Sequence, residues 1–355
     1  MTPLPFHCNL IFLSGALEEA WFLHCLSGLN PEIGHVCHQS WDSLLSMEES
    51  NAFDIYYTNP TNSEGCEALE AIRFARSPQH GHGLLIGADE NFLANPAIYV
   101  SAKFVIRTYL ADFYRHPRIM TIPEGPFYAP TQCLPLKAEN QDMNTSVFFS
   151  GQIKYSRIGM ARAFAGIKNS CIVDAARQKV PAQEYLQMLS ASRFSLCPNG
   201  NTTPDTLRLY EALEMGIVPI AERTWIRDYL GSLFPDCPIP RFSSWVSARH
   251  FILSVREDDY HALSRRVSAW WCQVKQSLPT EVRLFVMRSL EDSAHPFQEP
   301  RAIGLFAYRI KALSYLISIS SLPVLAIRAR RVLVFLKYFS LGFFPKGLVG
   351  RSRSA

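Results

Sequence analysis

A chain of 355 residues can hold two domains of ordinary size, and 48% apolar against 19% charged residues excludes a disordered chain. Nine cysteines, an odd count without a C-x-x-C pair or a Cys/His ligand spacing, argue against a complete disulfide framework or a zinc site and for a reduced compartment. The net charge of +4 hides an asymmetry: residues 301–355 hold ten Lys and Arg and no acidic residue, leaving 25 basic against 31 acidic in the first 300.

Asn9 to Ser14 reads as a strand. Its Leu10-Ile11-Phe12-Leu13 core is too short for a signal peptide or a membrane span, and no basic segment precedes it, so a cytoplasmic protein is expected. Gly15 to Gly28 follows with Leu17, Ala20, Trp21 and Leu26 at helical spacing. Phe53 to Thr58, Leu84 to Gly87, Lys103 to Tyr109 and Arg118 to Pro123 read as further strands, so residues 1–140 form a Rossmann-like half. No G-x-G-x-x-G occurs, so no dinucleotide site is indicated. Asp89 and Glu90 directly follow the Leu84–Gly87 strand, at the end that faces the ligand crevice of an open α/β sheet. They are the candidate catalytic carboxylates; the other duty open to Asp89 is capping the next helix.

The polar stretch Ala138 to Thr145 is the candidate linker to a second half, residues 146–295. There Ser146 to Ser150 reads as a strand that runs through Gly151 into a helix carrying Met160, Ala163 and Phe164. A glycine at a strand end lets the backbone approach a ligand. Lys154 and Arg157, at the helix start, suit either contact with a diphosphate or exposure to solvent. Ser170 to Val173 is a strand and Pro181 to Ala191 an amphipathic helix with Tyr185, Leu186 and Leu189.

Phe194 to Glu222 organises the rest. Phe194 to Cys197 is a buried strand, broken by Pro198-Asn199-Gly200-Asn201. Thr203 is then expected as N-cap, Pro204 at the first helical position and Asp205 in the first turn, with Gly216 closing the helix before a strand over Ile217 to Ala221. A strand–helix–strand unit of this length implies a parallel pair. The loop Asn199, Gly200, Asn201, Thr202, Thr203 would offer free N–H groups to a phosphate. Arg208 and Glu211 share one helix face, as donor-binding residues or as an exposed i,i+3 ion pair. Beyond it, Thr224 to Leu230 looks helical, Trp245 starts a helix, and Asp258 to Lys275 is a long one whose Leu263, Val267 and Trp270 are candidates for contact with the first half.

In the 301–355 tail, residues 312–327 are uncharged, with Pro323 interrupting them and Arg328, Arg330, Arg331 and Lys337 following. That is short of the roughly 20 apolar residues of a spanning helix. A basic amphipathic anchor lying in the plane of an anionic membrane is expected, the alternative being helices packed on the protein itself. Nucleic acid is a poorer partner, because the basic residues sit among bulky aliphatics.

Phe194-x-Leu196-Cys197-Pro198-x-Gly200, followed by Arg208-x-x-Glu211-Ala212-Leu213-x-x-Gly216-x-x-Pro219-Ile220, resembles the C-terminal signature of exostosin-type glycosyltransferases, family 47. It is most similar to the branch containing the ribitol xylosyltransferase. Asp89-Glu90 with Val105, Arg107, Tyr109, Pro123 and Gly125 resembles the N-terminal half of that family, and Phe148-Phe149-x-Gly151 with Arg157 the opening of its donor half. The resemblance implies a GT-B fold, two Rossmann-like domains facing across a cleft. It also implies an inverting transfer from a nucleotide-sugar, expected to be UDP-linked. The basic tail adds the expectation of a glycan or lipid-linked saccharide acceptor and of an enzyme held at the inner face of the membrane. Gly151, Lys154, Arg157, the Asn199–Thr203 loop, Arg208 and Glu211 would hold the donor, and Asp89 or Glu90 would be the base. With no D-x-D triplet, no metal and no cofactor beyond the donor are expected. Rival readings are a GDP-fucose fucosyltransferase, disfavoured because Pro204-Asp205-Thr206-Leu207-Arg208 departs from that family's Tyr-x-Thr-Glu-Lys, and a catalytically silent membrane scaffold.

Overall fold

A computed structural model describes residues 8–13, 16–35, 53–61, 67, 72, 81–94, 96–127, 145–224, 226–292, 295–297 and 302–319. Apolar runs without alternation suit strands covered on both faces, which is the setting of a parallel sheet. Two such sheets form. The first holds β1 (Cys8–Phe12), β2 (Pro31–His35), β3 (Phe53–Thr58), β4 (His82–Ile86), β5 (Ala102–Arg107) and β6 (Ile119–Thr121), all parallel, in the order β2-β1-β3-β4-β5-β6. The second holds β7 (Thr145–Gly151), β8 (Ser170–Asp174), β9 (Ser192–Cys197), β10 (Val218–Glu222) and β11 (Arg241–Phe242), also parallel, in the order β11-β10-β9-β7-β8. Each sheet reverses its strand order beside its first strand, between β1 and β3 and between β7 and β9. In a doubly wound sheet the ligand crevice opens at the carboxyl ends of those strands.

The helices are α1 (Glu19–Leu26), α2 (Ser156–Phe164), α3 (Ala182–Ser190), α4 (Leu207–Glu214), α5 (Tyr229–Leu233), α6 (Trp245–Ser254), α7 (Glu257–Glu291) and α8 (Ala302–Ile319). Glu257, Asp258 and Asp259 open α7, where acidic groups suit the positive end of the helix dipole. The helix then runs through Pro279, well past the Lys275 end expected from sequence. A proline removes the hydrogen bond to the carbonyl four residues back. That carbonyl, of Lys275, lies 3.0 Å from Nε2 of His24 in α1 instead.

As expected, α7 crosses between the halves, but through other residues. Trp270 packs on Phe234 of the second half at 5.2 Å. Its neighbour Trp271 lies between Trp21 of the first half, at 5.6 Å, and Tyr210 of the second, at 5.3 Å. Farther along, Phe285 meets Phe104 and Arg283 donates to the Gly28 carbonyl at 3.1 Å. Leu263 and Val267 are buried in the same apolar core, which runs through both halves.

Four other expectations change. Thr224 and residues 226–228 are not helical; α5 begins after Asp228, whose Oδ1 caps the Gly231 N–H at 3.1 Å. Helix α4 starts at Leu207, so Thr203, Pro204 and Asp205 belong to the preceding loop. Cys8, Cys25, Cys171, Cys197 and Cys237 are free thiols, but Cys272 is disulfide-bonded, against a wholly reduced set. Residues 302–319 of the supposed membrane tail form α8, folded on protein. Tyr308, Ala312 and Tyr315 are its buried stripe, with Tyr315 on Phe92 and Phe113 of the first half and Arg227 of the second over its ring at 4.9 Å. Residues 320–355, and 138–144 of the candidate linker, lie outside the described residues. Among the described residues no helix is long and apolar enough to cross a membrane.

Candidate functional site

The expected donor-binding residues gather at the switch point of the second sheet, where β7 ends at Gly151 and β9 ends at Cys197. The loop after Cys197 is fixed from two sides. From β10, the Glu222 carboxylate accepts the Asn199 N–H at 3.1 Å and the Ser156 hydroxyl at 3.0 Å. From α2, the Arg157 guanidinium donates to the Asn199 carbonyl at 3.0 and 3.2 Å, to Gly200 at 3.2 Å and to Gln152 at 3.1 Å. Arg157 therefore clamps the loop through neutral carbonyls. Burial, and then the nearby Arg208 cation, lower its pKa to about 10. Lys154 stands beside this clamp, its ammonium 5.5 Å from the centre of the Tyr155 ring.

Arg208, in the first turn of α4, donates Nε to the Ser150 carbonyl at 3.0 Å and lies over the Phe149 ring at 4.7 Å. Gly151 makes this possible: a Cβ there would stand 2.5 Å from Arg208 Nη2. Among the described residues the Nη groups of Arg208 have no hydrogen-bond partner. Arg208 and Glu211 form no ion pair with each other. Glu211 turns to the Tyr185 hydroxyl, which donates to its Oε2 at 2.5 Å. Burial pushes the Glu211 carboxyl up, opposed by that hydrogen bond and by Arg208. Beside Gly151, a groove of about 550 Å³ opens between Ile153, Ile158, Ile172, Val173, Asp174 and Gln178; Arg208 and Glu211 do not line it.

The two candidate carboxylates part company. Asp89 is wholly buried, accepting from Arg107 Nη2 at 3.0 Å and from the N–H groups of Leu93 and Ala94. It organises the turn after β4, close to the capping duty weighed above, and faces no open space. Glu90 crosses to the second half. Its carboxylate accepts the N–H groups of Asn201 at 3.2 Å, of Thr202, and of Thr203 at 3.0 Å.

Three further buried acids were not among the expected site residues. Asp205 accepts from the Tyr210 hydroxyl, from Tyr229 at 3.1 Å and from the Glu124 N–H at 3.3 Å, across the halves. Burial raises its pKa to about 6 against those three hydrogen bonds. Glu124 is pushed well above the usual carboxylate range by burial and by Glu18 and Asp205 beside it, and burial raises Glu18 too. Glu124 lies between Pro123 and Gly125 of the quoted motif, the one signal that pointed to it.

No family model matches this sequence, and no curated protein matches it. Solved structures do share its fold. A glycosyltransferase from Rickettsia africae ESF-5 superposes with a TM-score of 0.52 at 10% identity, over 81% of this chain and 100% of that one. The apo structure of OtsA gives 0.46 at 10% identity, over 80% of this chain and 99% of that one. At such identity the first likeness carries the fold alone. With the two parallel sheets it identifies an α/β chain of GT-B type, built of two Rossmann-like halves.

Proposed function

We propose that this protein is a metal-independent, inverting glycosyltransferase of exostosin type. It would move a sugar from a nucleotide-sugar, UDP-linked, to a hydroxyl of a glycan or lipid-linked saccharide. The observation that carries the reading is the convergence of Gly151, the Arg157-clamped loop and the half-buried Arg208 at the switch point of the second sheet. Displacement at an anomeric carbon needs positive charge where the diphosphate departs, and preorganised donors in a partly dry site supply it. Arg208 offers that charge with its Nη groups, while Arg157 keeps the loop in shape. Glu211, held through one oxygen by Tyr185, has the other for a ribose hydroxyl. The groove beside Gly151, about 550 Å³, falls in the size range of ligand pockets and is assigned to the nucleobase end of the donor. Of the two acids in the first half, Glu90 reaches the second, so the base that takes the acceptor proton is assigned to it rather than to Asp89.

The likeness in fold to a glycosyltransferase supports this reading. The basic residues Arg328, Arg330, Arg331 and Lys337, beyond α8, are proposed to bring the enzyme to an anionic membrane surface. Thermal-shift screening with UDP-, GDP- and CMP-sugars tests the assignment. One class should raise the melting temperature, and Glu211→Ala should abolish the rise without unfolding the protein. No rise with any donor would leave a silent scaffold, and a rise unchanged in Glu211→Ala would remove Glu211 from the site.

A further inference from the structure

Three successive backbone N–H groups, of Asn201, Thr202 and Thr203, converge on one carboxylate. Such a concave run of amides is an anion nest, the backbone arrangement that takes a phosphate. Here the anion comes from the same chain. Glu90 is nearly buried, and the Thr202 hydroxyl also donates to its carbonyl at 3.3 Å. Gly200 admits the carboxylate, since a Cβ there would lie 3.0 Å from Glu90 Oε1. The turn that carries Glu90 is itself clamped. Asp89 ties it to Arg107, and Arg309 of α8 donates to the carbonyls of Phe92 at 2.9 Å and Leu93 at 3.2 Å. Helix α8 holds the second half as well, where the Thr224 hydroxyl donates to the Ser318 carbonyl at 2.8 Å.

We propose that Glu90 is a built-in competitor for the anion nest of the second half, a carboxylate that latches the halves together while the nest holds no phosphate. The inference rests on reading the Asn199–Thr203 loop as a phosphate holder. One nest cannot satisfy the carboxylate and a phosphate through the same three amides. A diphosphate must displace Glu90, which also frees that carboxylate for the acceptor side. Arg309 sets how firmly the latch is held, because it fixes the turn from behind.

The probe is inorganic pyrophosphate, titrated by calorimetry into wild-type protein, Glu90→Ala, Glu90→Gln and Arg309→Ala. A site occupied by its own competitor binds with its intrinsic affinity reduced by the fraction that is free. Glu90→Ala should therefore bind pyrophosphate about tenfold more tightly than wild type, Glu90→Gln by a smaller factor and Arg309→Ala in the same direction. Hydrogen exchange without ligand should show the Asn201, Thr202 and Thr203 amides protected in wild type and faster in all three variants. Arg309→Ala leaves the nest residues intact and keeps the test open if a Glu90 variant folds poorly. Pyrophosphate affinity equal to wild type or weaker in both Glu90 variants overturns the latch. Tighter pyrophosphate binding in the variants, with no nucleotide-sugar bound by any of the proteins, upholds the latch and removes the donor assignment instead.

Discussion

Titrating Asp205 gives a stability change whose size follows from its surroundings. The side chain is fully buried at the join of the halves. Burial raises its pKa from 3.8 to about 6 although three donors favour the charged form. A pKa raised in the folded state contributes stability that is complete below the unfolded pKa and lost as pH rises through the folded one. The window is therefore about pH 4 to 6.5, and two pKa units at about 1.4 kcal/mol each set its scale near 3 kcal/mol. Asp205→Asn keeps an acceptor for Tyr210 and the Glu124 N–H but cannot ionise. Its cost should lie near 1 kcal/mol plus any mismatch at Tyr229, and should not change with pH. Urea denaturation of both proteins from pH 4 to pH 7.5 measures the difference. Wild type should lose up to about 3 kcal/mol relative to Asp205→Asn between the two ends. A difference constant across that range would refute the claim that burial governs Asp205.

Two further outcomes follow from the packing. Lys275→Met leaves Glu214, buried and bonded at 3.0 Å to the lysine and at 2.7 Å to Trp271, without its counter-charge; urea denaturation should show a loss of about 3–5 kcal/mol, and a loss under about 1 kcal/mol would show that the pair does not hold α7 to α4. Truncation after Ile319 should abolish cosedimentation with phosphatidylserine vesicles and leave the melting temperature unchanged, because α8 stays docked; cosedimentation equal to the full chain would place the membrane contact elsewhere, or nowhere.

The strands were legible because a parallel sheet leaves a local mark. Phe53–Thr58 is recovered without change, and the other expected strands agree to within a few residues. What escaped depends on partners far along the chain. The start of α4 looked like Thr203-Pro204-Asp205 because such residues cap helices. In the fold, the Thr203 N–H is taken by Glu90 and the Asp205 carboxylate by Tyr210 and Tyr229, and neither partner is visible from local spacing. Helix α7 continues past Lys275, and the carbonyl that Pro279 leaves is met by His24, 251 positions away, a partner no local window contains. In the tail, the uncharged run drew attention from the Tyr308, Ala312, Tyr315 stripe, whose spacing of four and three is that of one buried helix face. That Arg208 and Glu211 fall on one helix beside the sheet switch point was legible, because i,i+3 spacing on a helix is fixed by sequence. Asp89 was not separable from Glu90, since adjacent residues on a turn point apart and only the fold shows which one crosses.

Arg208 is the cation proposed to hold the diphosphate, and calorimetry on one substitution tests it. Wild type and Arg208→Ala would be titrated with UDP and with uridine. The account predicts that Arg208→Ala weakens UDP by about 10–100-fold, the worth of a charge-assisted hydrogen bond in a partly buried site, and leaves uridine within about twofold. Equal weakening of both ligands, or UDP binding untouched by the substitution, would contradict it.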